Sequence, residues 1–194
     1  MNYKIYICDT ETTGLDFVNN SPIEISIIRY DDGIQKTWLL KALNEDKIDI
    51  GALKINNHKL EDITHKTKFG KDNYKDPTQV IVDIENWISE DDCSSDQRIL
   101  VGQNISFDKN MLEFLWKKLN SHSSFPFGRR IIDTMQNEFM VDLSLNSFLE
   151  NYSLTNLLKK YNIKNDKSHS AAADAKATYE LFKSQVKKYT NGFK

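Results

Sequence analysis

Residues 6–16 read YICDTETTGLD, and this stretch decides both the fold and the chemistry. The apolar run that leads into it, YKIYIC over residues 3–8, has the composition of a strand. It then meets two acids, Asp9 and Glu11. Side chains two apart on a strand share a face, so both carboxylates project side by side. Like charges that close, partly removed from water, repel each other and raise a pKa. Paired acids at the end of an interior strand become favourable when a divalent cation sits between them, because Mg²⁺ and Mn²⁺ prefer hard oxygen ligands.

Outward from this strand, residues 23–30 (IEISIIRY) and 34–40 (IQKTWLL) predict two more strands, joined by the hairpin signal Asp32-Gly33. Residues 98–103 and 129–133 predict two short strands. Asp76-Pro77-Thr78-Gln79 offers an N-cap, a proline at the first helical position and a capping-box glutamine before the apolar run VIVDIENWI. Ser106 can cap a helix with Phe107, Met111, Leu115 and Leu119 on one stripe. Leu154, Leu157, Leu158 and Tyr161 mark another helix, and a last one spans about 170–189. Short helices are expected near 53–57 and 59–63. This order predicts an α/β fold, a mixed sheet of hairpin and parallel strands flanked by helices, as a single domain over 1–194.

Composition excludes several classes of protein. With 194 residues, 39 % hydrophobic and 28 % charged, the chain is an ordinary soluble domain. A formal net charge of −2 argues against a large non-specific nucleic-acid footprint, though not against a local basic groove. No run of about 18 apolar residues is present to span a membrane. The start, MNYKIYICD, has no signal-peptide pattern. Cys8 and Cys93 match no metal spacing, and Cys8 reads as a buried hydrophobe, so a reducing, cytoplasmic location is expected.

A cation site needs more than two acids. Asp108, in VGQNISFDKNML, lies in the first turn of a helix, where any acid is favoured by the dipole. Asp174, in HSAAADAKAT, is harder to explain that way. It shares a helical stripe with Thr178 and Leu181, and the surrounding alanines let that helix lie close to the sheet. His169 precedes it by five positions, about 140° away on a continuous helix of ~3.6 residues per turn. The two converge only if His169 sits in the loop entering the helix, where it is poised to accept a proton. His58, His65 and His122 have no such setting and read as exposed bystanders.

Taken in order, D-x-E-T-T-G-L, G-x-N-x-x-F-D and H-x-A-x-x-D-A resemble the DEDDh branch of the DnaQ-like 3′–5′ exonucleases, which includes polymerase proofreading subunits, RNase T and oligoribonuclease. The likeness runs from Tyr3 to about Phe182 and includes ALKINNHKLEDI, RRIIDTM and YSLTNLLKKYNI. It implies a ribonuclease H-like fold and two divalent cations, Mg²⁺ or Mn²⁺. Asp9, Glu11, Asp108 and Asp174 would be their ligands, and His169 the general base for the attacking water. It also implies a single-stranded nucleic acid with a free 3′ end as substrate. Thr10, Thr12, Thr13, Gly14 and Leu15 would lie on one side of its terminal nucleotide and Ile55 and Asn56 on the other, with Asn104 and Phe107 supporting the second motif. Gln103 and Asn57 depart from the family pattern, Asn57 standing where a glycine is usual.

Other readings stay open on sequence alone. The preference between DNA and RNA is unassigned, as is a polymerase partner or a homodimer, although the short TNGFK end favours a free-standing enzyme. D-x-E-x-T loosely echoes the haloacid dehalogenase phosphatases, but that reading leaves Asp108, His169 and Asp174 without roles. A non-catalytic binding module on the same fold is the other alternative. Lys66, Lys68, Lys71 and Lys75 interleaved with Phe69 and Tyr74 suit single-stranded nucleic acid and suit a solvated loop equally. Lys159, Lys160, Lys164 and Lys167 either steer phosphates or form a solvated helix face.

Overall fold

The structure is a computed structural model that describes residues 3–65, 73–119, 124–165 and 169–192, with side chains as far as 190. His122, Lys66, Lys68, Phe69, Lys71 and Lys167, singled out above, lie outside the described residues. Among the described residues, six strands form one sheet in the order β4-β3-β2-β1-β5-β6. They are β1 (Lys4–Thr12), β2 (Pro22–Arg29), β3 (Gln35–Leu40), β4 (Tyr74–Lys75), β5 (Arg98–Gly102) and β6 (Ile131–Asp133). β1, β2 and β3 are antiparallel, whereas β5 runs parallel to β1 and β6 to β5. This is the expected mixed sheet of a ribonuclease H-like fold. β4, only two residues long and parallel to β3, carries no sequence signal.

Among the described residues, seven α-helices cover the sheet: α1 (Ile50–Asn56), α2 (Leu60–Ile63), α3 (Pro77–Ser89), α4 (Ile105–Lys118), α5 (Thr134–Leu145), α6 (Leu154–Lys160) and α7 (Ala171–Gly192). Strand alternation divides the core. Tyr6 and Cys8 of β1 pack with Val80, Ile84, Leu112 and Leu115 of α3 and α4, while Ile7 packs with Ala175, Tyr179 and Phe182 of α7. The same alternation sends Asp9 and Glu11 to the α7 side and Thr10 and Thr12 to the α4 side. β5 ends at Gly102, whose neighbour Val101 pairs with Ile7, so the acid-bearing end of β1 runs on beyond its parallel neighbour. The carboxyl ends of parallel strands are where open α/β sheets leave a crevice. Gly102 is required there: a Cβ would lie 2.8 Å from the Cys8 carbonyl oxygen.

Some local expectations change. Asp76 caps α3 by accepting from the Thr78 amide, but Gln79 turns away to Asp83 and closes no capping box. Ser106 is not the cap of α4. Asn104 holds that place in a left-handed conformation (φ 54°), and Ser106 lies within the first turn. α5 is inside-out: Glu138 and Asp142 face inward and are buried, while Phe139, Met140 and Leu143 face solvent. Lys160 of α6 pairs with both acids, and the Tyr161 hydroxyl donates to Glu138 at 2.5 Å. Lys160 is therefore a structural cation that ties α6 to α5. Among the described residues, no helix is long and apolar enough to cross a membrane.

Candidate active site

Asp9 and Glu11 from β1 and Asp174 from the first turn of α7 converge, each offering an oxygen within 4.8 Å of the other two. The loop before α7 folds back onto Asp174. The His169 amide donates to its Oδ2 at 3.0 Å, and the Asn165 side-chain amide donates to its Oδ1 at 2.5 Å. His169 has a left-handed backbone (φ 68°), so it stands off the helix as its spacing requires. It is exposed and shares with Asp174 a cavity of about 430 Å³ walled by Ser153, Leu154, Leu158 and Lys159.

Asp108 is not one of the three converging acids. It is buried on α4 and accepts from the Thr10 hydroxyl at 2.7 Å. Thr10, expected in the nucleotide loop, is thus turned to the α4 side and anchors Asp108. The Asp108 charge still reaches the cluster. Burial, followed by the charges of Asp108, Asp174, Glu11 and Glu24, pushes Asp9 well above the usual carboxylate range. Burial, then Glu24, Asp174 and Asp108, raises Glu11 to about 8. Burial also raises Asp108 to about 7, against the opposing hydrogen bond from Thr10. Among the described residues, no Lys or Arg forms an ion pair with any of these four acids. An all-carboxylate donor set with uncompensated charge fits a hard divalent cation such as Mg²⁺ or Mn²⁺.

The sign of this effect with pH is testable. Folded Glu11 and Asp108 keep their protons up to about 8 and about 7, whereas unfolded carboxyls release them near ~4. Between those values the folded state binds more protons, so metal-free stability should fall as pH rises from 5 to 8. Mg²⁺ or Mn²⁺ should accordingly raise the melting temperature more at pH 8 than at pH 5. A larger shift at pH 5, or none at either pH, contradicts a cation site.

The loop after β1 is fixed from within. The Thr12 hydroxyl donates to the Gly14 carbonyl at 2.7 Å, and the Thr13 hydroxyl accepts from the Ser21 amide at 3.0 Å. Gly14 has φ 152°, and a Cβ there would fall 2.5 Å from Asn20 Oδ1, so any other residue would be strained. With both hydroxyls engaged and the Thr13 amide donating to the Ser21 carbonyl at 3.0 Å, the loop presents Leu15, which is 81 % exposed. Asn56 of α1 is buried and donates to the Thr12 carbonyl at 3.1 Å, which leaves Ile55 outward and 61 % exposed. Asn57 ends α1 with φ 60°, a conformation asparagine tolerates, which explains how it replaces a glycine. On the α4 side, the Asn104 amide donates to Asp133 at 3.3 Å and Phe107 is half-buried.

Three participants were not found from sequence. Asn165 holds Asp174. Glu24, an acid within the apolar run of β2, lies opposite Glu11 in the strand register. His58, read above as an exposed bystander, is buried against Glu24 and Tyr74. An acid inside an otherwise apolar strand was the only signal.

The sequence matches the RNase T family, described as exonuclease, over residues 6–182. No curated protein matches it. Among solved structures, E. coli exonuclease I in complex with a dT13 oligonucleotide is similar at TM-score 0.74 and 17 % identity, over 99 % of this chain and 44 % of that one. The zinc-bound exonuclease I–ssDNA complex gives TM-score 0.72 and 16 % identity over 94 % and 40 %. Cell-death related nuclease 4 (CRN-4) gives TM-score 0.77 and 12 % identity over 96 % and 64 %. The chain thus spans less than half the length of the exonuclease I chains it matches.

Proposed function

As the chain belongs to the RNase T exonuclease family, we propose that it hydrolyses phosphodiester bonds from the 3′ end of single-stranded nucleic acid and releases nucleoside 5′-monophosphates. The observation that carries this reading is the convergence of Asp9, Glu11 and Asp174 beside a cavity that also contains His169. The oligonucleotide complexes of the structurally similar exonuclease I support a single-stranded substrate.

Asp9, Glu11 and Asp174 would hold a divalent cation, and Asp108, steadied by Thr10, would contribute to a second from α4. Bound there, the cations would supply Lewis-acid polarisation of the scissile phosphate and charge stabilisation for its displacement. His169 removes the proton of the attacking water. Its place in a loop, exposed at the mouth of the cavity, gives its ring access to solvent that a helical residue pressed on the sheet would lack. Leu15 and Ile55 present apolar surface to the terminal base, and the backbone at Gly14 lies beside its 3′-hydroxyl. Asn104 and Phe107 close the α4 side.

The test uses oligonucleotides of single-stranded DNA and of RNA, labelled at either end, with Mg²⁺ or Mn²⁺. A 5′ label should pass through a ladder of shortening products, and a 3′ label should appear at once as mononucleotide. Tight binding without shortening would instead establish a non-catalytic binding module.

A further inference from the structure

We propose that Tyr74, His58 and Glu24 form a positioning relay that sets the His169 segment, an inference that rests on the hydrolytic reading of the site. Glu24 lies opposite Glu11 in the sheet and is only 6 % exposed, yet it does not join the converging acids. Both its oxygens are engaged elsewhere. Oε1 accepts from the Ala172 amide at 3.1 Å and from the Ser170 hydroxyl at 3.2 Å. Oε2 meets His58 Nε2 at 3.2 Å, and His58 Nδ1 meets the Tyr74 hydroxyl at 2.6 Å. A carboxylate only accepts, so Nε2 carries a proton and donates it. In the neutral ring, Nδ1 then accepts from Tyr74.

The target of this chain of contacts is the start of α7. The Ala172 amide is one of the donors that a helix N-terminus leaves without a partner in the helix, and a carboxylate there also meets the positive end of the dipole. Ser170 adjoins His169, whose own amide is bonded to Asp174, and the Asp174 amide donates to the Ser170 carbonyl at 2.9 Å. Glu24 therefore grips the two positions that flank the turn from the His169 loop into the helix. His58, with its side chain 7 % exposed between the α1–α2 connection and β2, fixes which way Glu24 points. Tyr74, on β4, fixes the ring. Apolar residues would fill this space at less cost than a buried carboxylate with two half-buried polar partners, so the polar choice marks orientation as what is gained.

The relay predicts effects on turnover rather than on binding. On a short single-stranded oligonucleotide, His58→Leu should lower kcat about tenfold, a typical loss for a supporting hydrogen bond behind a metal site, with KM within about twofold. His58→Gln, whose amide can still donate to Glu24, should recover most of this. Tyr74→Phe, which removes one hydroxyl and little packing, should lower kcat about threefold. In a His169→Ala background, His58→Leu should cost less than about twofold, because residues acting through one group are not additive.

Hydrogen exchange provides a readout independent of turnover: amides at 170–174 should exchange faster in His58→Leu, while α3 keeps its protection. An equal tenfold loss in both backgrounds, no recovery by His58→Gln, or unchanged exchange at 170–174 would overturn the relay. A wild-type protein that leaves oligonucleotides intact overturns the exonuclease reading instead, and the exchange result then decides the relay on its own.

Discussion

Asp9→Asn is expected to lower mononucleotide release by about 10³-fold or more while leaving the metal-free protein at least as stable as wild type. Loss of a cation site removes several kcal/mol of transition-state charge stabilisation, and each 1.4 kcal/mol is about a tenfold change in rate. The opposite sign for stability follows from the surroundings of Asp9. Its carboxyl is held well above its usual range by burial and by Asp108, Asp174, Glu11 and Glu24, so its ionised form opposes folding when no cation is bound. Asparagine keeps the shape and removes that charge. Mononucleotide release by the variant under Mg²⁺ or Mn²⁺, read beside its melting curve in chelator at pH 8, separates the two effects. An active variant would remove Asp9 from the cation site. An inactive variant that melts well below wild type would show that Asp9 serves folding.

Much of this site is legible in the sequence because strands and helices have fixed periods. Period two placed Asp9 and Glu11 on one face of β1, and the five-residue offset placed His169 off the helix that carries Asp174. What could not be read depends on contacts between distant segments. Thr10 and Asp108 are 98 positions apart, Glu24 and Ala172 are 148 apart, and nothing local to either member announces the other. His58 carries no local mark of burial, since Glu24 and Tyr74 create its environment. α5, which the sequence pattern did not predict, is hidden for a different reason. Glu138 and Asp142 point inward, made tolerable by Lys160 from another helix, while Phe139, Met140 and Leu143 face outward. A rule that sends apolar residues inward assigns that helix the wrong face.

His169→Ala should lower kcat by about 10²–10⁴, the usual range for loss of a general base, with little change in cation affinity. The geometry separates these two outcomes. His169 holds Asp174 through its backbone amide at 3.0 Å, and any residue at position 169 retains that donor. Alanine therefore removes the imidazole and leaves in place the bond that steadies the converging carboxylates. The left-handed turn at 169 is less comfortable for alanine, and glycine takes it freely, so His169→Gly serves as a companion variant. If the ring is the proton acceptor, both variants should lose turnover alike, and free imidazole in the buffer should restore part of it to both. Mn²⁺ titration of the substrate-free protein should give the wild-type affinity in each. If the ring instead acts by shaping the loop, Mn²⁺ affinity will fall with turnover and added imidazole will restore neither. Full turnover in either variant would assign the proton to another acceptor.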